Sequence, residues 1–126
     1  MEGDGLIAIE LSSDERRVLV QGLVQWFGPS KCTDALALAM DFESAEDMSQ
    51  QSKRLIAELS SNEPLSAKDW RRTLVATEIV FSSDVFGAGV EWSICTGIQD
   101  GETAQILRGL QRKVARALPR GTYRFR

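Results

Sequence analysis

Apolar and polar positions divide the chain into a short extended run and five segments of helical period. LIAIEL, residues 6–11, is apolar and partly β-branched, and predicts a strand with Ile7, Ile9 and Leu11 on one face. SSDE then opens a helix, in which Ser12 caps and Glu15, three residues on, completes a capping box. Through about Phe27 the residues Leu19, Val20, Leu23, Val24, Trp26 and Phe27 form one stripe, with Val18 outside it. Gly28 and Pro29 stop that helix, one as a left-handed cap and the other because it cannot continue.

A shorter helix rich in alanine and leucine is expected over roughly Lys31–Met40. Ser44, with Asp47 three residues later, opens a third to about Leu59. Met48, Leu55, Ile56 and Leu59 give that mostly polar helix one weak apolar side, so it belongs at the surface. SSNEP reads as a loop. The fourth helix runs from its cap Ser66 to Ser82. Trp70, Leu74 and Phe81 share one side of it, Val75 and Ile79 a second, and Ala76 and Val80 a third. A helix apolar nearly all round is central and buried. The fifth starts at Asp100 as N-cap and ends near Leu118, with Ile106, Leu107, Leu110, Val114 and Leu118 inward.

The fold expected is therefore mainly α, a compact bundle of about five helices around the buried helix 66–82, in a single domain of residues 1–126. At most two short terminal strands accompany it. TYRFR, residues 122–126, is either a basic tail or a strand that pairs with LIAIEL and sets Arg124 near Glu10.

Composition mainly excludes. A chain of 126 residues with 43% hydrophobic and 26% charged positions makes one folded domain and not a disordered one. The acidic start and the lack of a long apolar run predict a cytoplasmic protein without a membrane span. The sequence contains no histidine, which removes Ser-His-Asp triads, Cys-His pairs and histidine-ligated metals. Cys32 and Cys95 fit no zinc spacing and are either free thiols or a single pair. Lys31 and a helix start beside Cys32 are features that lower a thiol pKa. With no base nearby, a structural cysteine is the better reading. No cofactor, metal or catalytic residue is expected.

Charge changes the picture more. All eighteen acidic residues and eight basic ones lie up to Glu102, while seven basic and no acidic residues follow from Thr103. The split of −10 against +7 leaves a net charge of −3. Arg108, Arg112 and Arg116 recur every four residues opposite the apolar side of the last helix, and Arg120 and Arg124 continue the charge. Tyr123 and Phe125 alternate with the last arginines, a combination suited to phosphates and base stacking. The same cations also suit a helix C-terminus or the acidic body of the molecule.

EIVFSSDVFGAGVEWSICTG, residues 78–97, holds the second candidate site: Glu78, Asp84, Gly87, Gly89, Glu91 and Trp92. Gly87 and Gly89 have the spacing of a dinucleotide fingerprint, but Trp92 stands at the third glycine and the stretch follows a helix instead of a strand. The glycines are read as backbone freedom in a long loop, with Trp92 and Ile94 folding back on the core. Glu78, on the wheel beside Leu74 and Phe81, needs a partner, either Arg71 or a basic residue on another element.

The function expected is a non-catalytic protein-interaction module, of inhibitor, immunity-type or adaptor character, with a protein partner. Nucleic-acid binding through the C-terminal arginines is one alternative. A carboxylate-based enzyme or small-ligand binder around Glu78, Asp84 and Glu91 is the other.

Overall fold

Four helices begin where a hydroxyl side chain satisfies one of their first orphan N–H groups, and three of those side chains are the ones the sequence singles out. A computed structural model of the chain describes residues 5–27, 32–83 and 91–119. Among the described residues there are six α-helices and one two-stranded sheet. These are β1 (Leu6–Ile7), α1 (Ser13–Val24), α2 (Asp34–Ala39), α3 (Ala45–Ser60), β2 (Leu65–Ser66), α4 (Ala67–Ser82), α5 (Trp92–Thr96) and α6 (Asp100–Ala117).

The capping box of α1 forms in both directions: Glu15 N–H donates to Ser12 Oγ (3.1 Å) and Ser12 N–H to Glu15 Oε1 (2.8 Å). Thr33, Ser44 and Ser66 cap α2, α3 and α4 through their hydroxyls. Asp34 extends this by accepting from the N–H of Ala45 at 2.9 Å, so α2 helps to cap α3. Asp41 and Asn62 take left-handed backbone (φ 74° and 63°) just beyond α2 and α3. Phe42 N–H then reaches Ala37 O and Glu63 N–H reaches Glu58 O, closing each helix with a Schellman motif.

The mainly α bundle expected from the sequence is what forms, with differences that have physical causes. Val18, read as lying off the stripe of α1, is fully buried. That helix packs on α3, α4 and α6 at once, so more of its circumference is enclosed than one stripe would cover. Phe27, on the expected stripe, is instead exposed, and its ring lies 6.0 Å from the Lys53 ammonium. Residues 25–27 tighten into a 3-10 turn that takes Phe27 off the helical repeat. The second helix is shorter than expected, starting at Asp34. The N-cap of α6 is Gln99, with Asp100 already helical.

The strand LIAIEL shrinks to Leu6–Ile7. Its partner is Leu65–Ser66, antiparallel, from the end of the loop SSNEP. The alternative pairing with TYRFR concerns residues outside the described ones, as do the stop signals at Gly28 and Pro29. The N-terminal strand is anchored from the core by Trp70, whose indole N–H donates to Ile7 O at 2.8 Å.

The core joins Val18, Leu19 and Leu23 of α1 to Met48, Leu55 and Leu59 of α3, Trp70, Leu74, Ala76 and Val80 of α4, and Leu107, Leu110 and Val114 of α6. The two central helices, α1 and α4, meet at Gly22. A Cβ there would fall 2.1 Å from Thr77 Oγ1 and 2.6 Å from Thr77 Cβ, so the crossing depends on the missing side chain. Thr77 Oγ1 itself donates to Thr73 O at 2.8 Å, which keeps the hydroxyl satisfied inside the core.

Charge is also buried, but paired. Asp69, in the first turn of α4, accepts from Arg72 Nη1 (3.1 Å) and Arg54 Nη2 (3.2 Å). Arg72 Nε donates to Asp41 O (2.8 Å), and its guanidinium lies 4.7 Å from the Phe42 ring centroid. Arg71, the partner first considered for Glu78, pairs with Asp41 at 3.1 Å.

A second tie fixes α6 to the start of α1. Lys113 Nζ donates to Glu15 Oε1 (2.6 Å) and to Glu10 O (2.8 Å). Partial burial opposes the Glu15 charge, but Lys113 and the N–H and hydroxyl of Ser12 outweigh it and hold the carboxyl below its ordinary value. The folded-state pKa is thus lower than the unfolded one, so this contribution is complete above 4.5 and is lost as pH falls through the folded value. Lys113→Met is expected to lower stability at neutral pH, with the gap to the parent closing on acidification below that point. Urea unfolding of both proteins across the acid limb measures it, and a gap independent of pH would contradict the pairing.

Candidate functional site

Helix α6 has two faces of opposite character. Thr103, Leu107, Leu110 and Val114 point into the core, while Arg108, Arg112 and Arg116 are exposed on the other side. Among the described residues, none of these three arginines pairs with a carboxylate. Arg116 lies in the last turn, where the helix dipole favours a cation. Lys113, to one side of the stripe, serves the contact with α1. Arg120 and Arg124, which continue the charge in sequence, lie outside the described residues.

Beside this stripe α6 runs antiparallel to α4, and the two helices leave a cleft between them. Leu74, Val75, Glu78, Gln111 and Ala115 line a space of about 330 Å³. Phe81, Ser82, Ala104, Leu107, Arg108 and Gln111 line an adjoining one of about 140 Å³. Gln111 lines both, so the two spaces lie next to each other along the helix pair. The cleft persists because Ala104 and Ala115 are too short to fill the space opposite the larger side chains of α4.

Glu78 finds its partner here. Gln111 Nε2 donates to Glu78 Oε2 at 2.6 Å, and Gln111 Oε1 accepts from Arg108 Nη1 at 3.0 Å. The glutamine thus links the carboxylate on α4 to the first arginine of the basic stripe. Half-buried Glu78 is satisfied by a neutral amide and keeps a solvent-facing side, so the fully desolvated carboxylate expected from the wheel does not arise.

Of the other residues of the second candidate site, Trp92 and Glu91 are described. Trp92 is wholly enclosed: its indole N–H donates to Thr103 Oγ1 (2.8 Å), and its ring meets Phe81 edge-on with centroids 5.6 Å apart. It caps the core and offers no surface to a partner in this conformation. Ile94, expected to fold inward with it, is 82% exposed, because the five-residue helix α5 turns that side chain away from Trp92. Glu91 is exposed at the start of α5, and no hydrogen bond among the described residues joins it to Glu78. Asp84, Gly87 and Gly89 lie outside the described residues.

Among the described residues no group of three metal-ligating side chains occurs, and no helix is long and apolar enough to cross a membrane. Both cysteines are free thiols, with Cys95 exposed. Burial and the nearby Asp34 carboxylate raise the Cys32 pKa, opposite to the lowering that its sequence neighbours suggest. The Cys32 sulfur lies 3.4 Å from Met48 Sδ, as suits a structural cysteine.

No family model, curated protein or solved structure matches the chain. The functional reading therefore rests on the helix pair itself.

Sequence reasoning identified Glu78 and the arginines but not what relates them. The roles of Gln111, Leu74, Val75 and Ala115 depend on which turn of α4 faces which turn of α6. The one available signal was the need of Glu78 for a partner, but the basic residue expected there is replaced by the neutral amide of Gln111.

Proposed function

We propose that this chain is a non-catalytic, cytoplasmic protein-interaction module that binds its partner through the α4–α6 face. One observation carries the reading: Arg108, without a carboxylate partner among the described residues, borders a cleft whose larger end is mostly apolar, and exposed Arg112 and Arg116 continue the charge on the outer side of α6. Buried apolar contact supplies affinity, while a charged border steers and orients the encounter. The sequence has no histidine, and no hydrogen bond among the described residues joins Glu78 to Glu91, so acid-base chemistry has little support.

Nucleic acid is the second reading, favoured by the four-residue spacing of Arg108, Arg112 and Arg116. Phosphate binding needs the cations alone and has no use for the apolar cleft beside them.

The test is capture from lysate of the source organism with the full chain, with and without nuclease, at low and moderate salt. The expected result is a protein that survives nuclease and moderate salt. Its recovery should fall by about tenfold or more on Arg108→Glu/Arg112→Glu/Arg116→Glu, since reversed charge opposes a complementary partner. Recovery of nucleic acid alone, lost with salt, would overturn the proposal.

A further inference from the structure

Resting on that reading, we infer that the α4–α6 cleft is the seat of an acidic, amphipathic helical segment of a partner protein, about three turns long. The shape comes first. The lining runs from Ala104 to Ala115 along α6, roughly 16 Å at 1.5 Å per residue. A furrow between two antiparallel helices accepts a third helix by ordinary ridge-and-groove packing, with anchors at i, i+3 or i+4, and i+7.

The apolar anchors have a defined floor. Leu74, Val75 and Ala115 form the larger end of the cleft, and Phe81, Ala104 and Leu107 the smaller. Charge then fixes the sign of the flank. On the helical repeat of α6, Ala104, Gln111 and Ala115 share the arc facing the cleft, Arg108 borders it, and Arg112 and Arg116 follow on the outer side. A helix seated in the cleft lays one flank along these arginines, and carboxylates on that flank complement them. Glu78 constrains the occupant further. It sits at the floor, already engaged with Gln111, and repels an acid at the centre of the segment. The acids must therefore lie to the arginine side, which sets the orientation of the segment as well as its charge.

The test uses a phage-displayed library of random peptides about four helical turns long, panned on the full chain. Enriched peptides are expected to carry apolar residues at helical spacing with Asp or Glu along one flank. Their affinity should fall by about tenfold or more on Arg108→Glu/Arg112→Glu, as for the loss of close charge pairs. It should fall likewise on Ala115→Trp, which fills the cleft from an exposed position, and on Val75→Glu from the opposite wall. Thermal melts of each variant confirm that the fold is kept.

Enrichment of basic or patternless peptides, or equal binding to Ala115→Trp, would overturn the inference. So would a labelled single-stranded oligonucleotide that binds parent and Ala115→Trp alike and is lost on arginine reversal. The two levels of the reading separate cleanly. If Ala115→Trp and the parent capture the same nuclease-resistant protein from lysate, the interaction reading stands and the cleft is not its seat. If oligonucleotide binds and no protein is captured, both fall.

Discussion

Replacing Trp92 by alanine is expected to destabilise the protein by about 3–5 kcal/mol, the usual cost of emptying a buried aromatic site. The indole is fully enclosed and joins three elements. It starts α5, meets Phe81 of α4 edge-on, and donates to Thr103 of α6. Its neighbours on α4 and α6 are held by their own helices and have little freedom to collapse into the space. At the slope for a chain of this size, Tm should fall by roughly 10–20 °C. Trp92→Phe separates packing from hydrogen bonding: it keeps most of the ring, loses the N–H, and should cost about 1–3 kcal/mol. Thr103 Oγ1 still donates to Gln99 O in that variant, so its hydroxyl is not orphaned. Thermal and urea unfolding measure both, and a Trp92→Ala protein as stable as the parent would show that the residue does not hold this corner of the core.

Gly22→Ala is expected to be destabilising even though alanine is the better helix former. Inside a helix the change gains about 1 kcal/mol of propensity. Against this, the new Cβ would fall 2.1 Å from Thr77 Oγ1, 2.6 Å from its Cβ and 2.7 Å from its Cγ2. Overpacking of a tight core costs about 1–3 kcal/mol, and contacts this short belong at or above the upper end. The net loss should be about 2 kcal/mol or more, or roughly 8 °C in Tm. The geometry also predicts which second change relieves it. Thr77→Ala leaves a Cβ–Cβ clash and should rescue only in part, whereas Thr77→Gly removes it. The comparison is Gly22→Ala in each Thr77 background. A Gly22→Ala protein more stable than its parent would mean that α1 and α4 do not cross as closely as described.

Local chemistry made much of this fold legible before any coordinates. Ser12 with Glu15, Ser44 with Asp47 and Ser66 with Asp69 mark helix starts because a hydroxyl three residues before a backbone N–H can satisfy it without tertiary help. The inward stripe of α6 was legible for a similar reason, since a single buried face leaves a clean helical period. What the sequence concealed depends on long-range packing. Val18 is buried because three helices surround α1. Leu65–Ser66 forms a strand only because Leu6–Ile7 lies beside it. Trp92 and Ile94, two residues apart, were expected to fold inward together, but the short helix α5 sends them to opposite environments.

The candidate site divides in the same way. Exposed arginines at four-residue spacing are visible in a sequence, and so is the demand of Glu78 for a partner, though a cation was expected and an amide is found. That the donor is Gln111, and that Ala104 and Ala115 open a cleft beside the arginines, follows from the register of α4 against α6. No local rule encodes that register.

Amide hydrogen exchange of the protein, alone and with its captured partner, tests the central claim most directly. Protection confined to residues 104–116 of α6 and 74–82 of α4 is the predicted result. Protection that maps to α2 and α3 instead, with the α4–α6 pair exchanging as in the free protein, would contradict it.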